Sequence, residues 1–253
     1  MVYRRFLRLP AGSWLSAPAT SLLTGATLLV SAMAIRLLWV LTSLTLAGAQ
    51  AQDVQQTILD NHQLIQQSTL TAEINGLVLK TKVKSGDGGA EKDFSYNPAP
   101  RIRNEVLDRL VQRLKLPNLE QLRQLDYNQR FTQLATPYGL RPDDAADLVT
   151  AYQVWNWVMA NQAPMPKPGS VAAVRRSVAK VLSQNREIYH NAGKRALLGE
   201  EMKLLVVLTH LGWQGAQQQG KTQAYSDGIQ TQYQQRYGQN LRQLKLDVGG
   251  LHP

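Results

Sequence analysis

The stretch Tyr152–Met159, with the sequence YQVWNWVM, decides how the helices of this chain must be arranged. Residues of an α-helix turn by about 100° each, so Trp155 shares one face with Tyr152 and Met159. Trp157 points about 200° away from Trp155. Both tryptophan side chains are shielded from solvent only if this helix is covered on two sides, as the central helix of a bundle is. If the helix is not central, Trp157 is exposed and becomes a contact for a partner, a glycan or a lipid surface.

Helical patterns continue on both sides of this stretch and predict an all-α fold. The central helix is expected to begin at Pro142, where Asp143 and Asp144 favour the positive end of the helix dipole. Ser170 is expected to cap the helix that follows the proline-rich connector. We expect a single bundle of about five to seven amphipathic helices over residues 98–250. The other segments with apolar residues at helical spacing are Ile102–Leu114, Leu119–Leu125, Val171–Leu182, Ala196–Leu211 and Tyr225–Leu244.

The section before Pro98 is predicted to be flexible or weakly structured. Residues 52–97 combine a weak, Gln-rich helical pattern with a run at 77–83 that favours a short strand. A Gly- and Ser-rich stretch follows at 85–89. We place the boundary of the folded domain close to Pro98.

The N-terminus carries the features of a secretory signal. Met33–Arg36 is a short positive segment, and Leu37–Leu46 is an apolar run of ten residues. Two overlapping small-x-small sites follow, which predict cleavage after Ala49 or Ala51. We expect residues 1–51 to hold a signal or export segment, of which the translated part starts at Met33. We expect the mature protein to be periplasmic or secreted.

Two other interpretations of the N-terminus remain open. The stretch Arg4–Arg8 resembles a twin-arginine export signal that lacks the usual spacer residue. Alternatively, Leu22–Ala47 stays uncleaved and anchors the protein in a membrane, at a cost of about 2.5–3.5 kcal/mol for Arg36 near the middle of the span. Each interpretation places the body of the protein outside the cytoplasm.

Composition excludes several classes of protein. With 43% hydrophobic and 18% charged residues among 253, the chain has a globular balance rather than that of a disordered protein. The absence of cysteine excludes disulfides, thiolate zinc sites, iron–sulfur clusters and a cysteine nucleophile. The net charge is +10 for the whole chain and +6 for Gln52–Pro253, and we expect this excess to be spread along the chain.

Candidate acid–base residues occur without a catalytic signature. Asp143, Asp144 and Asp147 can bind a divalent cation or supply an acid–base pair, but a helix start favours the same carboxylates. The four histidines show no metal-ligand spacing, and no G-x-S-x-G, P-loop or dinucleotide fingerprint occurs. We therefore expect no catalytic residue, no cofactor and no metal ion.

A basic stretch covers the helix after the proline-rich connector and its exit. Such stripes neutralise the phosphates of nucleic acid, but an exported protein meets anionic lipid, polysaccharide or wall polymer instead. A solvated face that binds nothing is a further interpretation. The possible partner contacts are Trp157, Arg175 and Arg176.

The segment Tyr138–Asp147, with the sequence YGLRPDDAAD, carries a resemblance. Together with Ala151-Tyr152 and Trp155–Asn161, it resembles a functionally uncharacterised family of exported bacterial α-helical proteins, a domain of unknown function. The family pattern is Y-G-L-x-P-x-D-x-A-D, then an Ala-Tyr pair, a tryptophan and an Ala-Asn pair. Gln153 stands where an aromatic residue is common in the family. The resemblance covers about Pro98–Gly250, and it implies an exported all-α domain without catalytic residues.

Three hypotheses for function follow. The first is a non-enzymatic, exported binding or accessory module of the bacterial cell envelope, whose partner is an unknown envelope component or protein and not nucleic acid. The second is a periplasmic hydrolase with acid–base residues dispersed in the sequence, drawn from Asp143, Asp147, Glu200, Glu201 and His210. The third is an envelope protein that Leu22–Ala47 anchors in the membrane.

The export signal predicts the N-terminus of the mature protein. We expect protein recovered from the periplasmic or secreted fraction of cells to begin at Gln50 or Gln52, as measured by intact mass and N-terminal sequencing. A membrane-bound species that retains Leu37–Leu46 would contradict cleavage of the signal.

Overall fold

The part of the chain that the structure describes contains nine α-helices, two short 3-10 helices and one short hairpin. A computed structural model describes residues 69–81, 93–114 and 119–253, all within the compact unit Gln50–Pro253. The predicted all-α fold is confirmed. The predicted signal segment, residues 1–51, lies outside the described residues. The helices are α1 (Thr69–Lys80), α2 (Pro100–Leu114), α3 (Leu119–Gln124), α4 (Tyr127–Ala135), α5 (Ala145–Asn161), α6 (Pro168–Gln184), α7 (Arg186–Tyr189), α8 (Ala192–Gln218) and α9 (Thr222–Tyr237).

Helix α5 is the central helix that the tryptophan pattern predicts. Fourteen of its 17 residues are buried, and it packs against α6, α8 and α9. Trp155 is buried, and Trp157 is half-buried with its indole Nε1 donating a hydrogen bond to the carbonyl of Leu244 at 2.8 Å. Because both tryptophans are covered from different sides, the central-helix prediction is confirmed.

Helix α8 is the second long element of the core. It has 27 residues, of which 17 are buried, and it runs against α5 while also contacting α2, α4, α7 and α9. It begins four residues before the predicted Ala196, because the Asn191 side chain accepts a hydrogen bond from the backbone N–H of Lys194 at 3.0 Å and caps the helix.

Two predicted helix starts are wrong. Helix α5 begins at Ala145, and its N-cap is Asp144, whose side chain accepts from the backbone N–H of Asp147. Pro142 therefore lies in the preceding loop. Helix α6 begins at Pro168, which has the fixed φ that suits the first turn, so Ser170 is a buried residue inside that turn and not its cap.

The section predicted to be weakly structured contributes to the core. The run 77–83 was expected as a strand, but its first four residues belong to α1, whose Ile74 is completely buried. Residues 93–96, which we call the strap, extend along the loop before α5. The strap's Phe94 and Tyr96 are buried. Burial of these apolar side chains extends the core to the N-terminal side of Pro98; residues 52–68 and 82–92 lie outside the described residues.

The C-terminal segment is a hairpin and not a continued helix. Helix α9 ends at Tyr237, where Gly238 takes a left-handed conformation (φ +64°) that favours glycine, so the prediction that it extends to Leu244 is wrong. Strands β1 (Lys245–Asp247) and β2 (Gly250–His252) then pair antiparallel and pack on α6. Among the described helices, none has the length and apolarity needed to cross a membrane.

Gly199 of α8 is required because the strap passes directly over it. A Cβ at this position would lie 2.3 Å from a ring carbon of Tyr96, whose backbone N–H is bonded to the carbonyl of Asp143 at 2.9 Å. We expect Gly199→Ala to lower the free energy of unfolding by about 1–3 kcal/mol, although alanine is the better helix former. Urea denaturation measures the change.

Gly169→Ala is the matched control for this substitution. Gly169 lies in α6, and nothing lies within 4 Å of a Cβ built there. The control should leave stability unchanged or raise it by up to about 1 kcal/mol. Equal stability of the two variants would contradict the close contact between Gly199 and Tyr96.

Candidate functional site

The start of α5 gathers charged groups from several parts of the chain. The loop before the helix supplies Arg141, the first turn supplies Asp144 and Asp147, and α6 supplies Arg175. We call these four residues the buried charge cluster, although the Arg141 side chain is half exposed at its edge. The strap lies against the same turn, so the cluster joins segments that are distant in sequence.

Asp144 is completely buried, and its two carboxylate oxygens are both used. Oδ1 accepts from the backbone N–H of Asp147 at 3.0 Å, which caps the helix. Oδ2 accepts from the backbone N–H of Phe94 at 3.0 Å and from Nη2 of Arg141 at 2.6 Å. One side chain therefore caps α5, fixes the strap and binds a cation.

Asp147 lies one turn further on and binds the two arginines of the cluster. Its Oδ2 accepts from the backbone N–H of Arg141 at 2.9 Å and from Nε of Arg141 at 3.3 Å. Its Oδ1 accepts from Nε of Arg175. Nη2 of Arg175 also lies 3.6 Å from Oδ2 of Asp144, so this guanidinium bridges both aspartates and joins α6 to α5.

The electrostatics of Asp144 show how costly this arrangement is. Burial, and next the neighbouring charge of Asp147, raise the pKa of Asp144 above its usual value. The backbone N–H groups of Asp147 and Phe94 and the charge of Arg175 oppose that rise. The arginines thus offset the desolvation and mutual repulsion of two buried carboxylates.

A second buried ionic group lies on α8 beneath the strap. Nζ of Lys203 donates to Oε1 of Glu200 at 2.8 Å, and both side chains are about 97% buried. The hydroxyl of Tyr96 lies 2.9 Å from the same oxygen and donates to it. Burial, and next the charge of Glu200, raise the pKa of Tyr96, so the phenol keeps its proton. The Tyr96 hydroxyl also lies 3.3 Å from the carbonyl of Pro142, which links this group to the loop before α5.

Helix α1 is held to the core by buried polar contacts. The hydroxyl of Thr71 donates to Oε2 of Glu201 at 2.8 Å, and Nε2 of Gln153 donates to Oδ1 of Asn75 at 2.7 Å. These bonds join α1 to α8 and to α5. Glu201 is therefore a structural partner of α1 in the folded protein.

The acid–base candidates bind different partners in the structure. Asp147, Glu200 and Glu201 are buried in three different contacts, to Arg175, Lys203 and Thr71 respectively. Asp143 is half-buried and uses its backbone carbonyl to bind the strap. His210 is half-buried, and burial, with a further contribution from Arg130, lowers its pKa, so its imidazole is neutral at pH 7.

The predicted partner contacts also differ in their surroundings. Arg175 is only 7% exposed and belongs to the buried charge cluster, so it is not a surface contact of this fold. Arg176 is exposed. Trp157 is half-buried, and its indole N–H is used by Leu244. Of the three, only Arg176 is exposed in the folded protein.

One signal in the sequence pointed to the buried position of Arg175. The apolar stripe of α6 includes Val171, Val174 and Val178, and Arg175 lies on that stripe, one turn after Val171 and three residues before Val178. A cation on a buried face requires a carboxylate partner. The pairing of Tyr96 with Glu200 had no such signal, because 104 residues separate them.

Among the residues that the structure describes, no three His, Cys, Asp or Glu side chains are grouped to hold a metal ion. Asp144 and Asp147, which the sequence presented as possible cation ligands with Asp143, bind arginine side chains instead.

The neighbouring residues Arg175 and Arg176 offer a test of the buried charge cluster and its control, because one is buried and the other is exposed. Arg175→Gln leaves two buried aspartates short of a cation, so we expect it to lower the free energy of unfolding by about 3–5 kcal/mol. Arg176→Gln removes the same charge from an exposed site and should change stability by less than about 0.5 kcal/mol. Urea denaturation compares them.

Adding Asp147→Asn to Arg175→Gln should recover part of the loss, since it removes one uncompensated buried charge. Equal losses of stability in Arg175→Gln and Arg176→Gln would contradict the structural role of Arg175.

In comparisons with known proteins, no family model, no curated protein and no solved structure matches this chain. The resemblance of Tyr138–Asn161 to a family of exported helical proteins therefore stays a prediction.

Proposed function

We propose that this chain is an exported, non-enzymatic α-helical binding or accessory module of the bacterial cell envelope. The observation that carries the proposal is that the buried carboxylates of the described residues bind fixed partners within the fold. Asp147 binds Arg175, and Glu200 binds Lys203 and Tyr96. An acid or base that serves a reaction exchanges its proton with a substrate, whereas these groups are desolvated and committed to fixed partners that hold helices together.

The surface supports a binding role. Because the core carboxylates serve packing, recognition falls to exposed side chains, and Arg176 is exposed on α6 beside the buried Arg175. Export is supported by the signal pattern of residues 33–51 in the sequence.

In the test, mature protein recovered from cells is mixed with purified envelope fractions, namely peptidoglycan sacculi and phospholipid vesicles. We expect saturable, reversible binding to at least one fraction, measured by co-sedimentation, with no change in that fraction's mass spectrum over time. Heat-unfolded protein is the control for nonspecific adsorption.

Enzymatic turnover would overturn the proposal. The decisive result would be products that accumulate above the blank and fall in Asp143→Ala or His210→Ala. These two candidates are half-buried, so circular dichroism of the variants can verify that the fold is kept.

A further inference from the structure

The basic excess of Gln52–Pro253 is concentrated in one short segment and is not spread as the overall composition suggested. Residues 162–195 contain seven Lys and Arg residues and one Glu, a net charge of +6. That equals the net charge of all of Gln52–Pro253, so the remainder of that region is neutral. The seven basic residues are Lys167, Arg175, Arg176, Lys180, Arg186, Lys194 and Arg195.

Three of these cations serve the fold itself. Arg175 binds the buried aspartates, and Nζ of Lys194 binds Glu187 at 3.1 Å. Arg195 donates to backbone carbonyls, among them that of Tyr189 at 2.7 Å. The other four are exposed, and we call them the basic ridge: Lys167, Arg176, Lys180 and Arg186.

Two members of the basic ridge, Arg176 and Lys180, lie on the outer face of α6, and the other two lie at its ends. Arg176 and Lys180 are one turn apart and therefore lie on the same face, while Val174 and Val178 of the opposite face are buried in the core. Lys167 immediately precedes the helix, and Arg186 follows it in α7. A helix of 17 residues is about 25 Å long, so the four charges are distributed over that length.

The shape of the ridge decides what chemistry it fits. A small anion needs donors that converge on one point, and a single-stranded polymer is held in a groove. The ridge instead offers separated, exposed charges along α6 and at its two ends, which matches many negative charges on an extended surface. Tyr189, next along α7, is 38% exposed, and tyrosine is enriched where proteins meet the lipid headgroup layer.

We propose that the basic ridge binds the phosphate headgroups of an anionic lipid surface, with the protein lying on that surface. The proposal rests on the proposed function and names its binding face and partner. Basic residues near an anionic membrane each strengthen binding about fivefold, and salt weakens the attraction. Removal of three charges from the ridge should therefore weaken binding on the order of 100-fold.

The test measures co-sedimentation of mature protein with phosphatidylcholine vesicles that contain or lack phosphatidylglycerol. We expect binding to the anionic vesicles alone, weakened by added salt. The ridge variant Arg176→Gln/Lys180→Gln/Arg186→Gln should lose about 100-fold in affinity, and Arg176→Gln alone about fivefold.

A matched control removes the same charge elsewhere. Lys80, Arg101 and Lys221 are exposed residues outside the segment 162–195. The variant Lys80→Gln/Arg101→Gln/Lys221→Gln should keep affinity within about threefold, because these residues do not belong to the ridge and salt screens charges that make no direct contact with the headgroups. All six substitutions are at exposed positions, and urea denaturation verifies that each variant folds.

Three results would overturn the inference. Equal losses in the two triple variants would mean that net charge and not the ridge governs binding. Absence of binding to anionic vesicles would refute a lipid surface, as would capture of the protein by linear polyphosphate with no vesicle binding. These results leave the proposed function standing if sacculi still bind the protein, whereas product formation refutes the proposed function and not the ridge.

Discussion

The rest of the structure depends on the ionic contacts that the Arg175 guanidinium makes with Asp144 and Asp147. Two carboxylates buried side by side repel each other and lose their hydration, so they are tolerable only with cations and N–H donors arranged around them. Meeting that requirement positions three segments at once: α6 through Arg175, the loop through Arg141 and the strap through Phe94. The start of α5, and with it the central helix, is fixed by the same contacts.

Polar contacts inside the bundle select which apolar faces meet. Apolar packing between α5 and α8 is nondirectional and tolerates rotation or sliding of the helices. Gln153 bonded to Asn75, and Glu200 bonded to Lys203 and Tyr96, are satisfied in one arrangement. Gly199 adds a steric condition, because the Tyr96 ring reaches Glu200 across the space that any larger side chain would fill.

The two successive arginines of α6 lie in opposite environments, one in the core and one at the surface. Arg175 faces inward and is neutralised by aspartates, whereas Arg176, about 100° around the helix, is exposed on the basic ridge. Residues 162–195 carry a net charge of +6, and the charges of the rest of Gln52–Pro253 sum to zero.

The sequence by itself determined the all-α class and the central position of α5, because helical periodicity and two tryptophans on different faces are local patterns. It also contained a signal for the buried position of Arg175, in the register of Val171 and Val178 on α6, although the basic stretch predicted this residue as a partner contact. The tertiary structure alone decided that Asp144 caps α5 and that Tyr96 reaches Glu200, because these contacts join residues through space and depend on how helices pack. Tertiary packing likewise decided that α1 is helical, since burial of Ile74 overrides the strand preference of its last residues.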